Sequence, residues 1–444
     1  MNPESISMQD AARISAVIEL LSECFLQWKE ARPLPADVML NRYFRDRRFI
    51  GSKDRGAIAS QFYEIIRHYK TLEWHVDAHF ETGARFFVIA SLVLLHKNTV
   101  LQVRELFNGE RFSPYPLSEE EIRFAKALYG NKPLHHDMPD YARYNYPDWL
   151  EPQLKAAFPD DWKEALQALS QEAPVDLRTN TLVTTQQQLL EALKGEKYDV
   201  MPCTLSPLGI RMKTRHPIFT SQYFKQGWFE MQDEGSQLVS SLLDAKAGQK
   251  VIDFCAGAGG KTLALAAAMK NKGRILAWDT SAKRLEQMKE RLKRAKVDNV
   301  QIQCIESESD SFIKRHKDSA DGVIVDAPCS GTGTWRRNPD LKWRLRPSDL
   351  EELVDIQRKI LLSAARLVKK KGRLLYITCS LLPGENEAQI ATFLQQMENF
   401  RVVNPDNLCS NLNDKMTKQG GFLRLTPHEQ GTDGFFAALL ERIE

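Results

Sequence analysis

Two cysteines carry the strongest chemical signal in the chain. Cys329 ends the string D-A-P-C (326–329), and Cys379 sits in Y-I-T-C-S (376–380); each string closes a short apolar run that reads as a buried strand. Consecutive strands of an open parallel sheet deliver their C-terminal ends to one crevice. The pattern therefore predicts that both sulfurs face one pocket, although fifty positions (379 − 329) separate them. A lone buried cysteine is usually inert packing; a pair at two strand ends suggests more. Such a pair suits methylation of a pyrimidine at carbon 5, a carbon too weakly nucleophilic to take a methyl group from a sulfonium unaided. A thiolate adding to carbon 6 turns the ring into an enamine, and carbon 5 then attacks the methyl group. Charge develops at N3 during the addition, and a protonated or hydrogen-bonding carboxyl at Asp326 can offset it there. The second thiol then assists loss of the C5 proton and elimination of the first. A free thiol titrates near ~8.5, so the attacking one needs cations or dipoles close by.

The methyl donor must be held beside these sulfurs, and the sequence supplies a holder. The strand K-V-I-D-F runs into C-A-G-A-G-G-K-T, Cys255 to Thr262, a turn where backbone can approach a ligand closely. It is not a phosphate-binding P-loop, because that pattern needs glycine at position 255. The next strand, R-I-L-A-W-D, ends at Asp279, about twenty residues beyond the turn, where a carboxylate accepts both hydroxyls of a ribose. Without a pyrophosphate loop, a phosphate-free nucleoside such as S-adenosylmethionine fits better than NAD. Glu306, just past a third strand, reads either as a further acceptor for the adenosine or as a plain loop residue.

After the first cysteine comes T-W-R-R-N-P-D-L-K-W-R-L-R, in which Arg336, Arg337, Lys342, Arg344 and Arg346 are interleaved with Trp335 and Trp343. Cations for phosphates and rings for stacking suit a single-stranded or locally opened nucleic acid; a solvated helix face is the plainer reading. A second basic cluster, Arg42, Arg45, Arg47 and Arg48 with Arg55 close behind, carries the same two readings. V-K-K-K-G-R, Val368 to Arg373, reads as the cationic end of a helix. His135, His136 and Asp137 lack further ligands at metal spacing, so no metal is expected.

The elements that position these residues fall into three stretches: 1–135, 136–235 and 236–444. The first is mainly helical. Apolar residues recur at helical steps from Gln9 to Lys29 (Ala12, Ile14, Val17, Leu20, Leu21, Phe25) and again from Arg55 to Ile66, with Ser52 and Asp54 as possible caps. Phe86 to Leu95 is apolar all round, as at the centre of a bundle. The second stretch is a Pro- and aromatic-rich linker, then a small α+β unit containing V-D-L-R-T-N-T-L. The third alternates strand and helix as an α/β, Rossmann-like parallel sheet does, and Gly434 to Leu440 supplies a last strand.

Whole-chain counts are compatible with this. Among 444 residues, 61 Lys and Arg face 58 Asp and Glu, so the net charge of +3 does not by itself announce a nucleic-acid binder. The longest near-apolar run is about half the ~20 residues a bilayer helix needs. No basic start, apolar stretch and small-residue cleavage site open the sequence, so export is not expected. Seven cysteines without metal spacing do not form a disulfide scaffold. The expectation is a cytoplasmic enzyme with no membrane contact.

The strings F-C-A-G-A-G-G-K-T, D-A-P-C-S-G-T-G, Y-I-T-C-S and T-D-G-F-F-A-A-L-L together resemble the RsmB/NOL/NOP/Sun (NSUN) family of RNA cytosine-5 methyltransferases, most closely its bacterial ribosomal-RNA members. The resemblance implies that Cys379 is the nucleophile and that Cys329 aids product release. It implies cofactor contacts from Cys255, Ala256, Gly257, Ala258, Gly259, Gly260, Lys261, Asp279, Glu306 and Asp326, and an RNA partner, ribosomal by analogy. It further implies a NusB-like RNA-binding domain at the N-terminus and an RRM-like accessory unit in the middle. Two departures stand out: C-A-G-A-G-G-K where many members have C-A-A-P-G-G-K, and Glu306 where Asp is usual. Two rival readings are a DNA cytosine-5 methyltransferase and an RNA-binding ribosome-assembly factor with a vestigial cofactor site. The DNA enzymes carry E-N-V after the P-C cysteine; here E-N-E at 385–387 follows Cys379 instead.

Overall fold

The computed structural model describes residues 10–77, 83–214, 216–404, 417–418 and 420–444. Gln9, where the first apolar stripe was expected to begin, lies outside them. The chain forms two compact units. One is helical and takes in residues up to 155, then 160–170 and 337–345; the other holds the remainder. The helical unit thus reaches beyond residue 135 and recruits a short stretch from far along the chain.

In the helical unit, the helix Asp10–Gln27 buries Ile14, Val17, Leu20 and Leu21, the stripe expected from their spacing. Ser52 begins the helix Ser52–Arg67 without capping it, and Gly51 occupies the cap position. Asp54 does not cap either. Its carboxylate is buried and accepts from Arg13 Nε at 2.9 Å, which satisfies the charge. The apolar run forms the helix Ala84–Ala90, continued by one wider turn over Ser91–Leu95, with Phe87 to Leu94 inside the core.

The second unit carries two sheets. Four short strands, β1 (Val175–Thr179), β2 (Val200–Pro202), β3 (Gly209–Met212) and β4 (Phe229–Met231), pair antiparallel in the order β2-β3-β1-β4. Helices Gln186–Gly195 and Gln222–Lys225 join β1 to β2 and β3 to β4. That order is ferredoxin-like.

The larger sheet contains β5 (Lys250–Asp253), β6 (Arg274–Asp279), β7 (Val300–Cys304), β8 (Ala320–Asp326), β9 (Val368–Thr378), β10 (Phe400–Val402), β11 (Thr417–Lys418), β12 (Phe422–Leu425) and β13 (Phe435–Arg442). The parallel part runs β9-β8-β5-β6-β7, and β13 joins β9 antiparallel with β12 and β11 beyond it. This is a Rossmann-like sheet with a mixed edge. Ile252, Ile324, Leu374 and Tyr376 are fully buried, as strands covered on both faces must be. Val368–Arg373 belongs to strand β9, not to a helix end. The preceding helix stops at Ala365, and the lysines extend the strand, Lys369 pairing with Asp321 of β8.

Candidate active site

The C-terminal ends of β5, β6, β8 and β9 open on one cleft of about 810 Å³, within the usual range for a small-molecule site. Its wall includes Cys255–Ala258, Gly260, Lys261, Asp279, Glu306, Asp326, Cys329 and Cys379, so the sequence-predicted residues converge. Gly259, expected among the cofactor contacts, is not on that wall. Its φ is +85°, and a side chain there would meet Met288 Cγ at 2.5 Å, which only glycine avoids.

Asp279 is almost fully buried. One of its oxygens accepts from the Gly257 N–H at 2.8 Å, and the other accepts from the Ser281 N–H at 2.7 Å and pairs with Arg284 at 3.3 Å. A carboxylate offers about four lone-pair sites, so acceptor capacity remains for a ribose. Glu306 is exposed at the rim, its backbone N–H held by Asp310 at 2.9 Å. Under the loop lies Asp253, fully buried. Thr262 Oγ1 donates to one of its oxygens at 2.6 Å, and the other has no donor among the described residues. Burial pushes its pKa up to about 7 against the Thr262 hydrogen bond, with Asp326 adding to the rise. An orphaned acceptor beside a nucleoside-shaped wall suits the ammonium end of S-adenosylmethionine, and the residues fit that molecule.

The two sulfurs stand 3.4 Å apart. The hydrogen bond with Cys379, followed by burial, holds the Cys329 thiol well above its ordinary pKa and keeps it protonated. Cys255 also lines the cleft, but burial, reinforced by Asp253, keeps its thiol protonated as well. Lys261 reaches across to Asp326, Nζ to Oδ2 at 2.6 Å. Burial works against the Lys261 ammonium, but Asp326 outweighs it, with Cys379 and Asp253 assisting, and the pKa rises. The sequence placed charge stabilisation on Asp326 alone; the structure pairs it with a cation.

Backbone contacts lock the cysteine turns. The Gly333 N–H donates to the Cys379 carbonyl at 2.9 Å, and the Gly434 N–H donates to the Gly333 carbonyl at 2.8 Å. A side chain at Gly333 would lie 2.3 Å from the Gly434 carbonyl, which explains glycine in both strings. Two arginines pin the glycine-rich turn. Arg178 from β1 donates to the Gly260 carbonyl and Arg291 to the Ala258 carbonyl, each at 2.8 Å. Glu230 of β4 holds Arg291 at 3.0 Å and Arg294 at 2.5 Å. Sequence reasoning missed these arginines, and it missed a buried carboxylate, Glu385, bonded to the residues beside both cysteines. The E-N-E string was the visible signal for Glu385.

The expected RNA-facing run is corrected. Trp335 is fully buried, Arg336 is buried and pairs with Asp433 at 3.2 Å, and Lys342 is 1% exposed with its Nζ 3.4 Å from Ser170 Oγ. Arg344 is largely covered and bonded to Asp340 at 2.7 Å, and Arg337 is half-buried. Trp343 Nε1 donates to the Ile66 carbonyl at 2.9 Å. Residues 337–345 pack into the helical unit, while Trp335 and Arg336 are buried in the other, so the alternation of cations and rings reflects packing. Burial beside Arg67 pulls the Lys342 pKa down to about 7.

The chain resembles known proteins along most of its length. Residues 240–441 match the family described as 16S rRNA methyltransferase RsmB/F, and residues 146–219 match its ferredoxin-like domain. The ribosomal RNA small subunit methyltransferase B of Yersinia enterocolitica is 34% identical over 300 residues, 67% of each chain. That of Pectobacterium carotovorum is 29% identical over 88% of this chain and 92% of its own. The crystal structure of PH0851 superposes with a TM-score of 0.78 at 27% identity, covering 98% of this chain and all of the other.

Proposed function

Because the chain belongs to the RsmB/F family of 16S rRNA methyltransferases, we propose that it methylates carbon 5 of a cytosine in small-subunit ribosomal RNA through a transient bond between Cys379 and carbon 6. When bound, S-adenosylmethionine supplies the electrophilic methyl group. The glycine-rich turn and Asp279 hold its nucleoside, and the free oxygen of Asp253 receives its ammonium end. Cys379 attacks as thiolate, and the electron pair of the C5–C6 double bond moves toward N3, where the Lys261 ammonium meets the growing charge while Asp326 holds Lys261 in place. Carbon 5 takes the methyl group; its proton then passes to water as the S–C6 bond breaks and Cys379 leaves as thiolate. The protonated Cys329 thiol assists that elimination by donating a hydrogen bond to the departing sulfur.

The observation that carries this reading is the 3.4 Å approach of two sulfurs on the wall of a nucleoside cleft, one held protonated and the other beside an ammonium. A vestigial cofactor site would have no reason to keep that arrangement, and a DNA enzyme would carry its nucleophile at 329. We assign Arg42, Arg45 and Arg48, all exposed, with Phe49 at 78% exposure, to phosphate and base contacts. We keep the division at 1–135, 136–235 and 236–444 as the functional one: RNA capture, accessory sheet and catalysis. Bisulfite sequencing of ribosomal RNA from cells with and without the gene tests the proposal. One small-subunit cytosine loses protection when the gene is absent; an unchanged pattern contradicts it.

A further inference from the structure

Glu385 has no place in the chemistry above, yet it is fully buried in the turn that follows Cys379. A buried carboxylate is costly unless every lone pair finds a donor. Here the donors come from the two cysteine turns. Oε1 accepts from the Ser330 N–H at 2.8 Å and from Gln357 Nε2 at 2.9 Å. Oε2 accepts from Ser330 Oγ at 2.5 Å and from Ser380 Oγ. Ser330 follows Cys329 and Ser380 follows Cys379, so one carboxylate ties together the residues next to both sulfurs. The other flanks are fixed by the same group of side chains. Gln357 Nε2 also donates to the Pro328 carbonyl at 2.9 Å, and Thr378 Oγ1 donates to Asn386 Oδ1 at 2.5 Å. Tyr376 OH donates to the Glu385 carbonyl at 2.8 Å and anchors the turn to β9.

We propose that Glu385 is the positioning residue that sets Cys329 against Cys379, so that the covalent adduct is released once the methyl group has been transferred. The inference rests on the covalent reading given above. Glu385 touches neither the cleft nor the sulfurs and acts through Ser330 and Ser380. All four of its contacts are donors, so the ionised carboxylate is the form that satisfies them. Glutamine offers one acceptor oxygen in place of two and puts an amide where serine hydroxyls must donate. The turn that carries Cys329 is then free to shift against its partner, and misplacement by ~1 Å costs about 100-fold in a step that depends on alignment.

The test compares Glu385→Gln with the parent, and adds Ser330→Ala as a milder lesion in case the first variant fails to fold. Three readouts are taken: methyl transfer to ribosomal RNA, S-adenosylmethionine affinity by calorimetry, and protein–RNA adduct resolved on a denaturing gel. The expected result is a kcat lowered by about 10- to 100-fold, cofactor affinity unchanged, and adduct retained well above the parental level. A merely structural role would lower folded protein and cofactor binding together, and would not enrich the adduct. Turnover near the parental rate in both variants, or slow turnover without retained adduct, overturns the inference. The covalent reading is checked apart from it by Cys379→Ala: parental methylation in that variant would remove the adduct altogether, whatever Glu385 does.

Discussion

Asp253 shows how burial gives a single side chain a property its sequence position does not announce. Its pKa of about 7 lies above the ~3.9 of an unfolded aspartate. Between those values the folded protein keeps a proton that the unfolded chain has lost, so stability falls as pH rises from ~4 to ~7 and levels off above. One such proton gives a slope of at most about 1.4 kcal/mol per pH unit. Asp253→Asn removes this contribution, and urea unfolding followed from pH 5 to pH 8 measures the difference between the two proteins. Equal slopes in both would contradict the buried-carboxyl account. The cysteines, the glycine-rich turn and Asp279 were legible in the sequence because each is a residue type matched to a strand end. Asp253 and Glu385 were not, because only the folded chain shows which carboxylate loses its water and which donors surround it. The run from Trp335 to Arg344 misled for the converse reason: cations and rings are equally the composition of a segment that packs through hydrogen bonds, as Trp343 and Arg344 do.

Among the elements, the parallel strands followed from short apolar runs at regular spacing, and the small α+β unit from weaker alternation. The strands β10, β11 and β12 did not, since segments of two to four residues carry too little periodicity to recognise. The functional meaning of the small sheet was also hidden, because it lies in contacts far apart in sequence. Arg178 and Arg291 hold two carbonyls of the cofactor turn, and Glu230 of β4 keeps Arg291 in place. Lysine cannot span both Glu230 and the Ala258 carbonyl with a planar fork. Arg291→Lys is therefore expected to weaken S-adenosylmethionine binding by about tenfold, ~1.4 kcal/mol, while kcat at saturating cofactor stays close to that of the parent. Titration calorimetry reads the first and steady-state kinetics the second. A loss in kcat with unchanged affinity would mean that the arginine serves another step.

For the whole molecule, the net charge of +3 hides local asymmetry. Arg42 and Arg45 sit three residues apart on the helix Ala36–Asp46, and Arg48 follows its end; all three are exposed. Arg47 is engaged with Glu19 at 3.1 Å, and Arg55 with the Ile50 carbonyl at 2.8 Å, so these two are structural. Replacing Arg42, Arg45 and Arg48 by Glu should weaken RNA binding and flatten the logarithmic salt slope by about 2, at ~0.7 per single-strand phosphate contact. Filter binding across a salt series measures both, and an unchanged slope would take this face out of the RNA path. Among the described residues no helix is long and apolar enough to cross a membrane. The sequence suggested breaks at 135 and 235; the helical unit instead runs on to 155 and takes in 160–170 and 337–345, since only long-range contacts such as those of Asp340 and Trp343 declare that membership.

The central claim is that the sulfur at 379 bonds to the pyrimidine and the sulfur at 329 sets it free. The most direct measurement incubates Cys329→Ala, Cys379→Ala and the parent with ribosomal RNA and methyl-labelled S-adenosylmethionine, then resolves the products under denaturing conditions. The account predicts a labelled protein–RNA adduct that accumulates in Cys329→Ala, and neither adduct nor methylated RNA in Cys379→Ala. Methylation by Cys379→Ala at the parental rate, or an adduct formed without that residue, would contradict it.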